Sequence, residues 1–413
     1  MRILWVGHNL AYPPVRGVLQ RNYNLLREAA KSCEVHVLAF DQPDTRPSTV
    51  SPADCVRALE RFCATVQWLP LPRGIHKRDR YWLALRGMGH ADPFDIQWME
   101  SHEMAGTMKE ILGRASFDVV HFDTLGLAQY RPLVRNRATV LNHHNIESSM
   151  TRRRSHSGDN LFVREYFKRE SKRLSTVEKY WCPRFAMNLV VSHDEEQILK
   201  SAVSGIRTAV VPNGVDTEYF RQRPDPGGAI LLFCGGLDWY PNNEAMSYFF
   251  KEIWPKLSQQ IRDVQMYVVG RKPPKWLLRL RSEDPRVHVP GFVVDVRPYF
   301  EKATAYICPI RQGGGTRLKV LDALAMGVPL IGTSFSCSGL SVQSGKDVLL
   351  AESPEDFSYQ IQHVIENPAL RRDLAVAGRE LVERAYAWGV IGTQLIGAYE
   401  KASRVSSLMA ANI

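Results

Sequence analysis

The stretch from Thr304 to Thr333 constrains the fold more than any other part of the chain. It opens with an apolar run, Thr304–Ile310, that predicts a buried strand, and continues through a glycine-rich turn into a helical pattern headed by Arg317 and Lys319. Glycines let a backbone approach a ligand closely, and the N–H groups at a helix start bind anions. The helix dipole disfavours cations at a helix start, so an anion bound beside Arg317 and Lys319 would explain why they are there. The stretch predicts a binding site for phosphate or pyrophosphate.

Apolar runs alternate with helical patterns along both halves of the chain, which predicts an α/β fold. Many runs are apolar throughout, as expected for strands buried on both faces of a parallel sheet. The predicted strands are Ile3–Val6, Val35–Phe40, Val66–Leu71, Val119–Phe122, Thr139–His143, Asn188–Ser192, Thr208–Val211, Ile230–Cys234, Gln265–Val269, Val287–Val289, Thr304–Ile310, Leu330–Gly332 and Val348–Leu350. A turn-rich break at 216–228 separates two doubly wound domains, predicted at 1–215 and 225–387.

The composition limits the class of protein. The chain has 413 residues, a net charge of +10, seven scattered cysteines without metal-ligand spacing and no apolar run long enough to span a bilayer. Its start shows no secretory signal pattern, so we expect a reducing, cytosolic compartment. The charge favours an anionic partner: a phosphorylated substrate, an acidic membrane surface or nucleic acid. No interleaved basic and aromatic motif supports nucleic acid.

The segment Thr151–Arg184 is strongly basic, with ten cations against four acids, and its apolar residues fall partly on a helical stripe. A basic amphipathic helix can lie on an anionic membrane. The same pattern also fits a solvated helix whose apolar stripe packs on the first domain, and this second interpretation is favoured.

Polar residues follow several predicted strands at the ends where ligands bind in such folds. Asn145 and His144 follow one strand, and a neutral histidine there can hydrogen-bond a sugar hydroxyl. A zinc site is disfavoured, because adjacent histidines point apart and no carboxylate has ligand spacing. Gly17 fits either a phosphate contact or a helix-entry turn. The loop Gly291–Asp295 fits either a contact with a nucleobase or a turn in which Asp295 caps a helix.

Taken in order, these motifs resemble glycosyltransferase family 4 (glycosyltransferase group 1), the retaining, nucleotide-sugar-dependent enzymes of GT-B fold. The resemblance covers nearly the whole chain. The matching motifs are Pro-Pro-x-x-Gly ending at Gly17, His144-Asn145-x-Glu147, Pro212-Asn213-Gly214-Val215-Asp216, Gly291-Phe292-Val293 and GGGTRLKVLDALAMGVPLI. It implies two Rossmann-like domains facing a cleft, with a C-terminal helix at about 388–413 packing back on the first domain.

The resemblance also implies roles. Arg317 and Lys319 would hold the diphosphate, Asp322 the ribose, and His144 the transferred sugar. The backbone at Phe292 and Val293 would meet the base, and Gly17 the distal phosphate. The expected catalytic residues are His144, Arg317 and Lys319, and the expected substrate-binding residues are Gly17, Asn145, Gly236, Asp238, Phe292, Val293, Gly314, Gly315, Thr316 and Asp322. No metal and no cofactor besides the donor are expected.

Two departures from the family pattern bear on the site. The family often has Glu-x7-Glu, whereas this chain has Gly314 and Asp322 at those positions. The usual cations after the first strand of the second domain are replaced by Gly235, Gly236 and Pro241. Arg317 and Lys319 would therefore supply the phosphate charge, and the sugar contact that the first glutamate usually makes is unassigned.

The function implied is transfer of a sugar, with retention, from a nucleotide diphosphate sugar to an acceptor hydroxyl. No positioned nucleophilic carboxylate is evident, which favours a front-face route assisted by the donor phosphate. The acceptor would be a glycan or lipid-linked molecule of cell-surface polysaccharide or glycolipid synthesis. The protein would be cytoplasmic, with peripheral contact with an anionic membrane left open. The alternatives are a GT-B epimerase or phosphorylase, a non-catalytic sugar-nucleotide-binding scaffold, and a nucleic-acid-binding protein.

Overall fold

The computed structural model describes residues 1–15, 17–72, 91–156, 161–313 and 318–411. The chain divides into two compact units. The first comprises Met1–Pro212 together with Ile391–Ile413, and the second comprises Asn213–Val390. No helix in the described ranges is long and apolar enough to cross a membrane.

The first unit is built on a parallel sheet of seven described strands in the order β3-β2-β1-β4-β5-β6-β7. The strands are β1 (Arg2–Gly7), β2 (Glu34–Asp41), β3 (Thr65–Pro70), β4 (Val119–Phe122), β5 (Ala138–Asn142), β6 (Met187–Val190) and β7 (Thr208–Val210). Every residue of β4, β5 and β6 is buried, as expected for strands covered on both faces, and these strands are mostly apolar. The predicted doubly wound α/β fold is confirmed for this half.

Seven described helices flank this sheet. They are α1 (Gly17–Ala29), α2 (Pro52–Leu59), α3 (Phe94–Trp98), α4 (His102–Arg114), α5 (Glu147–His156), α6 (Leu161–Trp181) and α7 (His193–Ala202). Serines begin three of them: Ser51, Ser101 and Ser192 each accept a hydrogen bond from a backbone N–H in the first helical turn. These caps satisfy donors that would otherwise have no partner inside the helix.

The described parts of the basic segment include α5, to His156, and α6, from Leu161, and these two helices pack along each other. Leu174 is buried in the core of the first unit, and Val177 and Trp181 pack against that core. The packing on the first unit that we favoured from sequence is therefore present. The first residues of α6, by contrast, are exposed.

The second unit is built on a parallel sheet of six described strands in the order β10-β9-β8-β11-β12-β13. The strands are β8 (Ile230–Cys234), β9 (Gln265–Val269), β10 (Val287–Gly291), β11 (Ala305–Cys308), β12 (Leu330–Gly332) and β13 (Leu349–Leu350). The helices are α8 (Tyr240–Tyr248), α9 (Trp254–Gln260), α10 (Lys275–Glu283), α11 (Arg297–Lys302), α12 (Leu318–Ala325), α13 (Pro354–Glu366), α14 (Pro368–Ala385) and α15 (Trp388–Ala411). A π-helical turn, Phe249–Ile253, joins α8 to α9. This sheet confirms the second predicted α/β domain.

The segment predicted to join the two domains is held on the second unit by arginines of α14. Arg379 donates to the carbonyl oxygens of Thr217 at 3.0 Å and Phe220 at 2.6 Å. Arg371 pairs with Asp225 at 2.8 Å. These contacts explain why this segment belongs to the second unit, which begins at Asn213.

Most of α15 lies in the first unit, although the helix begins in the second. Leu395, Tyr399 and Ala402 are fully buried there. The Tyr399 hydroxyl and His121 Nδ1 are 2.9 Å apart in a hydrogen bond, and the His121 ring stacks on Trp5 at 3.7 Å between ring centroids. Burial lowers the pKa of His121 to about 3, so this imidazole is neutral at physiological pH.

Candidate functional site

The carboxyl ends of β1, β4 and β5 bring three titratable side chains together in the first unit. His8 Nδ1 lies 2.6 Å from one carboxylate oxygen of Asp123, and His144 Nε2 lies 3.1 Å from the other. Because β4 pairs with both β1 and β5, the residues that follow these strands meet at one edge of the sheet. The structure therefore places the predicted sugar contact, His144, beside a carboxylate that the sequence did not single out.

Asp123 is completely buried and accepts two further hydrogen bonds, from the side-chain amides of Asn22 at 2.6 Å and Asn142 at 3.2 Å. Burial by itself raises the pKa of Asp123. The electrostatic attraction of His144 and His8 and their hydrogen bonds act in the opposite direction and outweigh burial, so the pKa of Asp123 falls below the ordinary range. The carboxylate is therefore ionised and accepts a proton donor at each of its lone-pair positions.

These partners assign the protons on both imidazoles. An ionised carboxylate only accepts, so His8 carries a proton on Nδ1 and His144 carries one on Nε2. The amide of Asn9 donates to His8 Nε2 at 2.9 Å, whereas no described residue bonds Nδ1 of His144. Burial lowers the pKa of His144 despite the opposing charge of Asp123. His144 thus offers a neutral ring nitrogen as a hydrogen-bond acceptor.

His8, Asp123 and His144 also form a group with potential to hold a metal ion, since their ligand atoms lie within 4.8 Å of one another. Asp123, which follows β4, supplies a carboxylate that the local spacing around His144 in the sequence does not show. Four N–H donors already satisfy Asp123, and this arrangement accounts for the cluster by hydrogen bonding. The expectation that no metal is needed stays a prediction.

The neighbouring histidine points elsewhere, as predicted for adjacent residues. His143 Nε2 lies 3.2 Å from the side-chain oxygen of Asn188 inside the sheet, and burial lowers the pKa of His143 to about 4. Asn145 is half-buried, and its buried side-chain oxygen has no partner in the described residues. Gly17 is the first residue of α1, which fits the helix-entry interpretation of its motif.

Two buried carboxylates hold the loop that carries His144. Glu195 of α7 accepts from the backbone N–H of Ile146 at 2.6 Å, and Glu178 of α6 accepts from the N–H of Ser148 at 3.0 Å. Burial raises the pKa of Glu195 to about 7 and also raises the pKa of Glu178. These acids fix the start of α5 immediately after His144.

Three glycines line up at the carboxyl edge of the sheet in the second unit. The N–H of Gly235 bonds to Val269 at 2.9 Å, and the N–H of Gly270 bonds to Gly291 at 2.9 Å. A side chain at Gly270 would place its Cβ 1.8 Å from the Gly235 carbonyl oxygen, so only glycine fits at this position. We call this close approach of the Gly235, Gly270 and Gly291 backbones the glycine crossing. The crossing brings the loops after β8, β9 and β10 together.

Phe292 follows this crossing and is 69% exposed, which leaves its ring open to a planar ligand. The half-buried Val293 packs at the edge of the core. Asp295 accepts from the backbone N–H of Arg297 at 3.0 Å at the start of α11. The N-cap of α11 is nevertheless Val296, which makes no side-chain cap, so the prediction that Asp295 caps this helix is wrong. The loop also presents an exposed aromatic ring.

Two cations that the sequence reasoning missed lie beside the glycine crossing. Arg271 Nε is 2.9 Å from a carboxylate oxygen of Asp238, and Lys272 Nζ is 3.9 Å from the other. A Cβ on Gly236 would lie 3.3 Å from Arg271 Nε. In the sequence, Arg271 and Lys272 follow the predicted strand Gln265–Val269 closely, whereas the family pattern places its phosphate cations after β8.

Lys319 and Asp322 form an ion pair in the first turns of α12, with Lys319 Nζ 2.8 Å from a carboxylate oxygen. Burial opposes the charge on Lys319, but Asp322 outweighs it and raises the pKa of Lys319; burial likewise raises the pKa of Asp322. The second oxygen of Asp322, Oδ1, is buried and has no donor among the described residues. The predicted diphosphate and ribose contacts are thus paired with each other. Gly314, Gly315, Thr316 and Arg317 lie outside the described residues.

A separate cavity of about 440 Å³ lies along α8. Arg311 crosses it, lying 2.6 Å from Glu244 and 3.8 Å from the centre of the Tyr248 ring. Trp276 forms another part of the wall. No predicted donor residue that the structure describes lines this cavity, so we do not assign it to the candidate site.

Solved structures with the same architecture define the class as GT-B. Sucrose-phosphate synthase from Thermosynechococcus elongatus superposes with a TM-score of 0.72 at 17% identity and covers 100% of both chains. HepE from Anabaena, solved in complex with UDP, superposes with a TM-score of 0.67 at 12% identity and covers 97% of this chain and 100% of its own. These likenesses establish the fold.

Two family descriptions then match consecutive parts of the chain. Residues 15–219 match Glycosyltransferase Family 4, and residues 228–367 match Glycosyl transferases group 1. The chain therefore belongs to the group 1, family 4 glycosyltransferases, as its motifs indicated. Neither match favours an epimerase or a non-catalytic scaffold.

Curated relatives match part of the chain. Phosphatidyl-myo-inositol mannosyltransferase of Mycobacterium leprae is 24% identical over 203 residues, which are 46% of this chain and 52% of the relative. The Mycobacterium tuberculosis protein (strain H37Rv) is 27% identical over 207 residues, 46% of this chain and 53% of the relative. The matched region spans about half the length of these relatives.

Proposed function

We propose that this protein is a retaining glycosyltransferase that moves a sugar from a nucleotide diphosphate sugar to an acceptor hydroxyl. The observation that carries the proposal is the Lys319–Asp322 pair, which follows the glycine-rich turn in sequence, in a chain whose two halves match glycosyltransferase families. The buried Oδ1 atom of Asp322 has no donor among the residues that the structure describes, and a ribose hydroxyl is such a donor.

The cations of the second unit would act on the leaving group. A departing nucleoside diphosphate gains negative charge as the glycosidic bond breaks. Fixed positive charge aimed at it stabilises the transition state more than the ground state. Lys319 and Arg317 are proposed for this role, with Arg271 and Lys272 as additional cations beside Gly236. The exposed ring of Phe292 and the backbone of Val293 are proposed to meet the base.

The first unit would orient the transferred sugar. His144 Nδ1 is available to accept a hydrogen bond from a sugar hydroxyl, because Asp123 fixes the proton on Nε2. Asp123 itself is buried and already accepts four hydrogen bonds, so it is poorly suited to attack the anomeric carbon. This supports a front-face route in which the donor phosphate assists the incoming hydroxyl.

The acceptor is proposed to be a glycan or a lipid-linked molecule in cell-surface polysaccharide or glycolipid synthesis. The curated relatives are named for a phosphatidyl-inositol acceptor, which is consistent with a lipid-linked class. A cytoplasmic location with peripheral contact to an anionic membrane belongs to the same proposal. No metal is required if the cations neutralise the diphosphate.

The proposal is tested by replacing Arg317 and Lys319 together with Ala and measuring nucleoside diphosphate release from a panel of nucleotide sugars. We expect a loss of about a hundredfold or more, because two charges facing the leaving group are removed. Thermal unfolding checks that the fold survives the loss of the Asp322 partner. The exposed pair Lys275 and Arg279 on α10, replaced in the same way, is the matched control. Near-normal turnover in the R317A/K319A variant would overturn the assignment.

A further inference from the structure

The start of α6 exposes consecutive large apolar side chains. Leu161 is 75% exposed, Phe162 is 87% exposed and Val163 is 44% exposed. Single exposed apolar residues are ordinary, but a contiguous group at one end of a helix marks an interaction surface. The core contacts of this helix come from later residues, such as Leu174.

The exposed side of the same helix is cationic. With about 3.6 residues per turn, Lys168 and Lys172 fall on the same side as Leu161, and Arg169 falls on the same side as Phe162. All three cations are exposed, whereas Glu170, Leu174 and Glu178 on the opposite side are buried. The only exposed acid on the described part of this helix is Glu165, which pairs with Arg169 at 3.0 Å. The helix therefore presents an apolar end followed by positive charge.

Helix α5 adds to this charge. Arg152 and Arg154 are exposed on α5, which packs along α6. Arg154 lies over the ring of Phe167 on α6 at 4.2 Å. Helix α5 thus holds exposed cations alongside the first half of α6.

We propose that this basic apolar face of α6, made of Leu161, Phe162, Lys168, Arg169 and Lys172, docks on the surface of an anionic phospholipid bilayer. Leu161 and Phe162 enter the boundary between headgroups and acyl chains, and the cations face the lipid phosphates. The combination selects a bilayer, since nucleic acid offers no apolar phase for an aliphatic side chain. This inference rests on the proposed function in that it names the residues that would make its membrane contact. Docking itself requires neither a bound donor nor turnover.

The test is flotation of the full chain with protein-free vesicles of phosphatidylcholine, with and without phosphatidylglycerol, at low and high salt. We expect binding only to the anionic vesicles, weakened by salt. Reversing two cations in K168E/K172E should weaken binding about 25-fold or more, at roughly fivefold for each cation lost. The L161S/F162S variant should weaken it about tenfold and should leave less binding at high salt than the wild type retains.

Matched controls lie on the second unit. K275E/R279E reverses two exposed cations on α10, and Y359S/V376S removes two exposed apolar side chains, Tyr359 on α13 and Val376 on α14. Both controls should bind vesicles as the wild type does. The inference is overturned if the wild type does not float with anionic vesicles at low salt, or if the controls lose as much binding as the α6 variants. Nucleoside diphosphate release, measured without vesicles, reports separately on the proposed function.

Discussion

Asp123 accepts hydrogen bonds from four side chains, and two of them are the imidazoles of His8 and His144. At the scale of single residues, this carboxylate determines which nitrogen of each ring carries the proton. It does so from a position where no solvent reaches it. The free Nδ1 of His144 is the group that we propose to meet the sugar.

Replacing Asp123 with Asn tests this positioning role. An asparagine replaces one of the two carboxylate oxygens with an NH2 group, which only donates. It therefore cannot accept from both imidazoles in the same way, and His144 should lose its fixed orientation. We expect kcat to fall by up to about a hundredfold, with a smaller change in the KM for the donor. Steady-state kinetics measure the changes in kcat and in the KM for the donor separately. The buried Asp347 of the second unit, changed to Asn, is the control for loss of a buried carboxylate. Unchanged kcat in D123N would contradict the role.

Arg271 and Lys272 give a second prediction at this scale. If they replace the phosphate cations that the family usually carries after β8, the R271A/K272A variant should raise the KM for the donor roughly tenfold or more. The measurement is the donor dependence of the initial rate. K275A/R279A removes two cations a few residues further along and should leave KM unchanged. An equal effect of both variants would show that only net charge matters.

The pairing of Lys319 with Asp322 shows what a sequence pattern can and cannot predict about a site. The sequence identified both residues, because they follow a strand, a glycine-rich turn and a helix start in order. It assigned them separate contacts, whereas in the structure each is the other's partner. A spacing of three residues on a helix allows this contact, but their rotamers depend on the burial of Asp322, which the pattern does not give.

At the scale of elements, the strands were the most predictable part of the fold. Runs such as Ile3–Val6 and Leu330–Gly332 lie within β1 and β12 because strands buried on both faces have few polar residues. The site was less predictable. His8 and Asp123 are 115 positions apart and meet only because β1 and β4 are neighbours in the sheet. Strand order follows from tertiary packing, so no local pattern indicates this pair.

The buried acid at the start of α7 gives a prediction at this scale. Burial raises the pKa of Glu195 from 4.5 to about 7, although the N–H of Ile146 acts in the opposite direction. The folded protein therefore binds this proton more tightly than the unfolded chain. The contribution of Glu195 to the free energy of unfolding falls as pH rises from about 4.5 through about 7.

The E195Q variant keeps an acceptor for Ile146 but has no charge to bury. Relative to the wild type, its free energy of unfolding should rise by about 2 to 3 kcal/mol between pH 5 and pH 8. Urea denaturation of both proteins at the two pH values measures this difference. The exposed Glu283 on α10, changed to Gln, controls for the substitution itself. A constant difference between E195Q and wild type would contradict the raised pKa.

At the scale of the whole molecule, the chain is two parallel-sheet units whose sequences match successive parts of one glycosyltransferase family. Each unit carries its polar groups at the carboxyl ends of its strands, which is where ligands bind in sheets of this kind. In the proposed function, His144 of the first unit accepts a hydrogen bond from a sugar hydroxyl, and the cations and the exposed aromatic ring of the second unit bind the nucleotide part of the donor. The reaction that we propose is transfer of a sugar from a nucleotide diphosphate sugar.

The most direct test of that reaction is to incubate the wild-type protein with a panel of nucleotide diphosphate sugars and to quantify nucleoside diphosphate release, with the fate of the sugar followed by NMR. We predict release from a donor of one base and sugar class, with the sugar delivered to water or to an added acceptor and with its anomeric configuration retained. Recovery of every donor intact, or its conversion to an epimer without nucleoside diphosphate release, would contradict the account.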